Sequence, residues 1–189
     1  GQWASTRYDL FEDDVCEALG QLTNKAPAHS YEHTQQLVEA AFGVRLTDLF
    51  EHFESTPLAS GSIGQVHLAR LRSDGELVAV KVQHPNLDER LSIDMHILSL
   101  IASFTRFIPA LETMRIADTV DQFAANFRMQ LDFCEEAANL RTFAANFASP
   151  FWRASVSFPR PIDGLVSTTV LVETYERGIT VDAYLKQHE

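Results

Sequence analysis

The chain has 189 residues, 46% of them hydrophobic, and a formal net charge of −11. That is enough apolar material for one globular domain with its own core, and too little length for two of ordinary size. Its 15 Lys and Arg gather in no stripe, which excludes a DNA or RNA surface, and the two cysteines, Cys16 and Cys134, form no C-x-x-C pair, so neither a disulfide framework nor a zinc ribbon is expected.

Apolar residues at Leu10, Phe11, Val15, Ala18, Leu19 and Leu22 make one face of an amphipathic helix from about Asp9, ended by Ala26-Pro27. Ser30 then caps a second helix whose buried face is Leu37, Val38, Ala41 and Phe42 and which stops at Gly43. A third, short helix covers Leu46 to Phe50. His29-Ser30-Tyr31-Glu32-His33 spells H-x-x-E-H, a zinc-peptidase pattern. Such a site needs both histidines on one helical face. Pro27 and the capping Ser30 put His29 outside the helix, so no metal site is expected there.

The stretch from Pro57 to Gln83 carries the most chemistry. Ile63 to Leu71 and Leu77 to Val82 alternate apolar and polar residues around the turn Ser73-Asp74-Gly75, which predicts a β-hairpin. Ahead of it, Ala59-Ser60-Gly61-Ser62-Ile63-Gly64 is a run of small residues whose backbone N–H groups can approach a phosphate without side-chain obstruction. In the second strand Lys81 stands between Val80 and Val82, and a cation in an apolar segment needs a partner.

His84-Pro85-Asn86 leaves the strand. Leu87, Leu91, Ile93, Ile97, Leu98, Leu100 and Ile101 then predict a long, largely buried helix ending near Pro109. Its most apolar run, Ile97 to Ile108, is shorter than the ~20 residues a membrane-spanning helix needs. Ile116, Val120, Phe123, Phe127, Leu131 and Cys134 step by three and four, predicting a single helix from about Ile116 to Phe147 with Asp132 and Glu136 four apart on it. Val156 to Pro161 and Thr168 to Thr174 read as two more strands with Asp163-Gly164 as the turn between them, and a last helix begins near Thr180.

A small-residue loop, a strand, then V-A-V-K on the next strand matches the nucleotide-binding half of a protein-kinase small lobe. The loop departs from G-x-G-x-x-G, since only Gly61 and Gly64 are glycine. P-L-A-S-G-S-I-G-Q-V-H followed by V-A-V-K-V-Q-H-P resembles the UbiB, or aarF-domain, family of atypical kinases, in which an alanine-rich loop replaces the glycine-rich one. Gly1-Gln2 resembles the end of that family's K-x-G-Q motif. Gln130-Leu131-Asp132 with Glu136-Ala137 resembles its E-x-D and E-A segments. W-A-S-T-R at Trp3 to Arg7 and V-L-V-E-T-Y-E-R-G at Val170 to Gly178 look most like the family's mitochondrial branch.

The resemblance implies an α+β fold: a kinase-like N-lobe, with a small antiparallel sheet and one αC-type helix, behind a family-specific N-terminal helical extension. It divides the chain into an extension over residues 1–56, the lobe over 57–178 and the start of a post-hinge helix over 179–189, and it makes the chain a fragment whose catalytic lobe lies beyond Glu189. ATP is the implied cofactor, with magnesium held mainly by the missing lobe and no metal ligand expected here. Lys81 would neutralise the α and β phosphates and Glu136 would orient Lys81. Ala59, Ser60, Gly61, Ser62, Ile63 and Gly64 would cover the nucleotide, Val66 and Ala79 would line its site, and Glu173 and Tyr175 would belong to the hinge. Gln2 would sit where an ordinary kinase admits a peptide. Asp132 is in place, but Gln130 stands where the family has Glu and cannot carry a negative charge, which puts a metal or charge-pairing role there in doubt.

For the parent protein the resemblance implies phosphoryl transfer or ATP hydrolysis in support of coenzyme Q or related isoprenoid-quinone metabolism. It points to a quinone lipid or a quinone-synthesis protein as partner, with peripheral membrane contact, in mitochondria or alternatively plastids; the fragment itself, lacking a catalytic loop and a targeting segment, would not catalyse. A rival from another class is a non-catalytic, pseudokinase-like scaffold that binds a lipid or protein partner.

Overall fold

The computed structural model describes residues 27–104 and 129–179 continuously, with positions 9, 11–16, 18, 119, 120, 122, 124, 181, 184 and 185 beside them. Gly1, Gln2, most of the helices expected from Asp9 and from Thr180, and much of the first half of the helix expected from Ile116 lie outside the described residues.

Helix α1, Tyr31–Phe42, starts where Ser30 Oγ accepts the His33 amide and ends at Gly43, whose φ of 72° lets its N–H reach the Glu39 carbonyl. Helix α2, Leu46–Leu49, leads directly into strand β1, Phe50–Phe53. Strand β2, Ala59–Ser60, is followed by the predicted hairpin of β3, Gly64–Leu71, and β4, Leu77–Gln83. Helix α3, Leu87–Phe104, follows; then come α4, Phe133–Asn146, the single turn α5, Pro150–Arg153, and strands β5, Pro161–Val166, and β6, Val170–Thr174. The antiparallel sheet runs β1-β3-β4-β6-β5, with β2 paired to β3.

β4 is therefore central, and its period-2 alternation sorts its side chains to two different layers. Val78, Val80 and Val82 are fully buried on one face, in a core that also holds Val38 of α1, Leu46 of α2, Phe50, Val170 and Val172. Ala79 and Lys81 point to the other face, where α4 packs Phe133 and Ala137 on Leu171. The sheet thus has the helical extension on its back and α4 on its front. Phe50, read as the last residue of a short helix, instead opens strand β1, which joins the sheet by pairing with β3.

Three other expectations are corrected. The helix expected from Ile116 to Phe147 is interrupted at Leu131 and Asp132: Asp132 has extended backbone and its carboxylate accepts the Cys134 amide, so it caps α4 and does not share a helical face with Glu136. A short acidic side chain that can serve the free N–H groups of a first turn competes with helix continuation. The turn between β5 and β6 is Ser167–Thr169, where Ser167 Oγ accepts the Thr169 and Val170 amides. Asp163-Gly164 lies inside β5, with Gly164 at φ 79° in a stretch where the register shifts, since the positive φ that serves a turn also serves a bulge. Finally, α3 is not largely buried. Leu91, Met95 and Ala102 are covered, but Ile93, Ile97, Leu100, Ile101 and Phe104 are each about half exposed or more.

Candidate functional site

Lys81 leaves the central strand toward α4, and its ammonium meets both carboxylate oxygens of Glu136, at 2.7 and 2.6 Å. Phe133, one turn earlier on α4, places its ring centroid 4.7 Å from the same Nζ, adding the negative face of an aromatic ring to the carboxylate. Glu136 stays accessible, with 38% of its side chain exposed against 26% for Lys81, so the pair borders solvent.

α4 is set in place at its first turn. Besides the Asp132 cap, the Phe133 amide donates to the Thr168 carbonyl at 3.1 Å. The buried Gln83 carboxamide, at the end of β4, donates to the Leu131 carbonyl and to Thr168 O at 3.2 Å. The strand that carries the lysine thereby also holds the start of the helix that carries its glutamate.

Strand register brings other expected site residues to the same face. Val66 is opposite Lys81, and Ala79 is opposite Glu173. Burial, reinforced by the charge of Glu136, pushes the Glu173 carboxyl up to about 7 against the opposing pull of Lys81. Two carboxylates thus look toward one ammonium, and Glu173 contributes a titrating side chain to the cleft where only hinge backbone was expected. The Tyr175 amide donates to Leu77 O and the Thr174 amide to Arg160 O. Both are held within the sheet, so Glu176 carries the first backbone amide past it.

The small-residue run forms an arc between β2 and β3, closed by a 2.9 Å bond from the Gly61 amide to the Gly64 carbonyl. Its two glycines serve different ends. A Cβ on Gly64 would stand 2.4 Å from the Val82 carbonyl oxygen, so this glycine is demanded by the close approach of β3 to β4, whereas a Cβ on Gly61 would find Gly64 O at an ordinary 3.8 Å. Ser60 Oγ is buried and has no partner among the described residues. Below the arc, a cleft of about 720 Å³ is lined by Ile63, Gln130, Asp132, Glu136, Asn139 and Leu140. Gln130 and Asp132 therefore share this cleft with Glu136, the carboxylate partner of Lys81. A second hollow of about 700 Å³ reaches Thr174, Tyr175 and Glu176 at the end of β6.

Sequence reasoning missed the Phe133 contact, the Gln83 anchor and a network of half-buried and buried histidines behind the arc. Gln83 and His84 follow the V-A-V-K segment directly, but a polar residue at a strand end gives no sign of which carbonyls it will meet. His29 lies outside α1, as expected, and its ring turns to His84, not to a metal shared with His33.

An antiparallel sheet whose central strand offers a lysine to a glutamate on a helix packed across that face is the small lobe of a protein-kinase-like fold. The comparisons narrow this class: the family described as "ABC1 atypical kinase-like domain" matches residues 21–189, and the chain belongs to that family. It is 38% identical over 191 residues to the "Probable serine/threonine-protein kinase abkC" of Dictyostelium discoideum, covering 100% of this chain and 27% of that protein. It is 31% identical to "ABC1 family protein YPL109C, mitochondrial" of Saccharomyces cerevisiae, covering 98% of this chain and 30% of the relative. A "Probable protein kinase UbiB" of Aeromonas hydrophila is 33% identical over 78% of this chain and 27% of its own length. Among solved structures, the complex of Rv3197 with erythromycin from Mycobacterium tuberculosis aligns with a TM-score of 0.70 and 27% identity, over 96% of this chain and 44% of that one. The chain spans less than a third of the length of the three curated relatives and less than half of the solved chain.

Proposed function

We propose that this chain is the ATP-binding small lobe of a UbiB-like atypical kinase, with residues 1–56 as its helical extension and 57–178 as the lobe proper. The observation that carries the reading is the Lys81–Glu136 pair, held at 2.6 Å on the cleft face of a central strand. An ammonium oriented by a carboxylate keeps its charge and its aim, and a nucleotide's α and β phosphates are the ligands such a group receives in this fold. The tight turn from Gly61 to Gly64, with Ile63 in the cleft lining, fits a ligand rich in acceptor oxygens. Val66 and Ala79 supply the apolar roof for a base, and its edge is met at the end of β6 by Glu176, with the carboxyl of Glu173 behind it. When bound, ATP supplies the transferable phosphoryl group; the chain's own residues grip and orient it. Among the described residues no group of three or more His, Cys, Asp or Glu is arranged to hold a metal ion.

For that parent, phosphoryl transfer or ATP hydrolysis serving isoprenoid-quinone or related lipid metabolism is the reading most in keeping with the UbiB relatives, and a mitochondrial setting with the yeast one. No helix among the described residues is long and apolar enough to cross a membrane. The test is a thermal shift of the full-length protein with Mg-ATP. A rise of several degrees for wild type, lost in Lys81→Ala, is expected; no shift in wild type sinks the reading. Gln130 favours a second one, a nucleotide-binding scaffold without turnover, because a neutral amide lines the cleft where the family pattern has a carboxylate. A wild type that binds Mg-ATP but neither hydrolyses it nor transfers phosphate would select that alternative.

A further inference from the structure

On the face of the sheet away from the cleft, α1 covers a patch that is polar where a core would be apolar. Thr34, Gln65 and His67 are all fully buried there. Such groups persist only when hydrogen-bonded. Their partners form one chain, and its proton positions follow from the carbonyls at its two ends.

The Gly61 carbonyl can only accept, so His84 Nε2, 2.8 Å away, bears the proton. In a neutral ring this leaves His84 Nδ1 bare, and His29 Nδ1, 2.8 Å from it, must donate. His29 Nε2 is then an acceptor, served at 3.0 Å by the Thr34 hydroxyl. At the other end the Glu54 carbonyl, 2.8 Å from His67 Nδ1, fixes that ring's proton. His67 Nε2 accepts from Gln65 Nε2 at 2.9 Å, whose second hydrogen reaches Thr34 Oγ1 at 3.2 Å. Gln65 Oε1 closes the arrangement by accepting the His29 amide at 2.9 Å. Donations run outward from Gln65, one branch to Glu54 O and the other through Thr34, His29 and His84 to Gly61 O. A second proton on His84 would set two N–H groups against each other, and one on His29 would face the hydrogen of the Thr34 hydroxyl.

Burial holds the His29 imidazole down to about 4, helped by the neighbouring His33, His84 and His67 rings, so it stays neutral. Among the described residues no carboxylate hydrogen-bonds to this network; Asp88 and Glu89 share a small hollow with His33 and His84 beside it.

Gly61 is the midpoint of the arc assigned to phosphate, and its side chain offers nothing for the rest of the protein to hold. We propose that His29 and His84 are positioning residues for that arc: through them the helical extension grips the Gly61 carbonyl and keeps Ala59–Gly64 in the form that receives a nucleotide. This rests on the nucleotide reading above and adds to it a mechanical link from the extension to the site.

The test uses the full-length protein as wild type, His29→Ala, His84→Ala, the double variant and His84→Gln. Two quantities are followed: hydrogen exchange of a peptide spanning residues 58–66, and affinity for Mg-ATP. Each alanine variant is expected to speed exchange in that peptide about tenfold and to weaken Mg-ATP about fivefold, the loss of one net hydrogen bond. The double variant should match the single ones, because the two rings act in series. His84→Gln, which keeps one donor and one acceptor, should return both quantities to within twofold of wild type. Unchanged loop exchange in His29→Ala, or losses that multiply in the double variant, overturns the proposal. So does a loosened loop that leaves the affinity intact. A wild type that fails to bind Mg-ATP while the loop still loosens in the variants overturns the nucleotide reading, and with it the role in nucleotide reception, by a result distinct from an unmoved loop. Should His84→Ala fail to fold, His29→Ala and His84→Gln suffice.

Discussion

Glu173 is the residue whose environment makes the most specific forecast. Its carboxyl is held at about 7 against an ordinary value of 4.5. The folded state therefore binds its proton more tightly than the unfolded chain does. The sign follows: protonated Glu173 is fully accommodated below about pH 4.5, and stability is lost as pH rises from there through about 7. With allowance for the solvent this side chain still meets, the loss amounts to about 1–2 kcal/mol. Glu173→Gln removes the titration, so its thermal midpoint relative to wild type should climb between pH 5 and pH 7.5, and a flat difference would contradict the assignment. In Lys81→Ala the same carboxyl loses the cation that lowers it and should titrate higher still. None of this was legible in V-L-V-E-T-Y, because alternation gives the face a glutamate occupies but not the charges waiting there. The Lys81 partner was legible for the opposite reason. A lysine between two buried valines demands a counter-charge, and the family pattern left one helix carboxylate to supply it.

At the scale of elements, the pairing of strand β4 with helix α4 depends on one amide side chain. Gln83→Leu leaves the buried Leu131 carbonyl without its donor, a loss of about 1–3 kcal/mol. The expected signature is local: faster hydrogen exchange in the first turns of α4, residues 132–140, together with weaker Mg-ATP binding as Glu136 drifts from Lys81. Equal protection in variant and wild type would show that the Asp132 cap alone suffices. The hairpin, α1 with its Ser30 and Gly43 caps, and β6 were readable because local chemistry and tertiary need agree in them. The break before α4, the bulge at Gly164 and strand β1 were not. In each, residues suited to two local structures were assigned by contacts far away in sequence, such as that of the Phe133 amide with Thr168 O. Gly64 shows the same limit, since a glycine read as clearance for phosphate is required first by the carbonyl of Val82.

Taken whole, the helical extension and the sheet share one core. Val38 and Leu46 close over Val78, Val80, Val82, Val170 and Val172, all of them essentially solvent-free. Deleting residues 27–49 would uncover that apolar face and also remove His29 and Thr34. The full-length protein so truncated should lose its cooperative melting transition and go into the insoluble fraction; a soluble, melting product would mean that the sheet's back finds other cover. The opposite situation holds at α3, where Ile93, Ile97, Leu100, Ile101 and Phe104 already face outward. The period-3.6 pattern there was real, but it marked a helix broader in apolar surface than this core can use.

The position of β4 also bears on how the chain comes off the ribosome. Its pairing with β3 is complete once Gln83 has emerged, but its other edge is satisfied by Val170–Thr174, after α3, α4 and α5 have been made. At ordinary elongation rates that interval is on the order of ten seconds. For its duration the nascent chain carries an unpaired V-A-V-K-V edge with a valine-rich side open, so this segment is where a holding chaperone would be needed and where slowed synthesis would do the most harm.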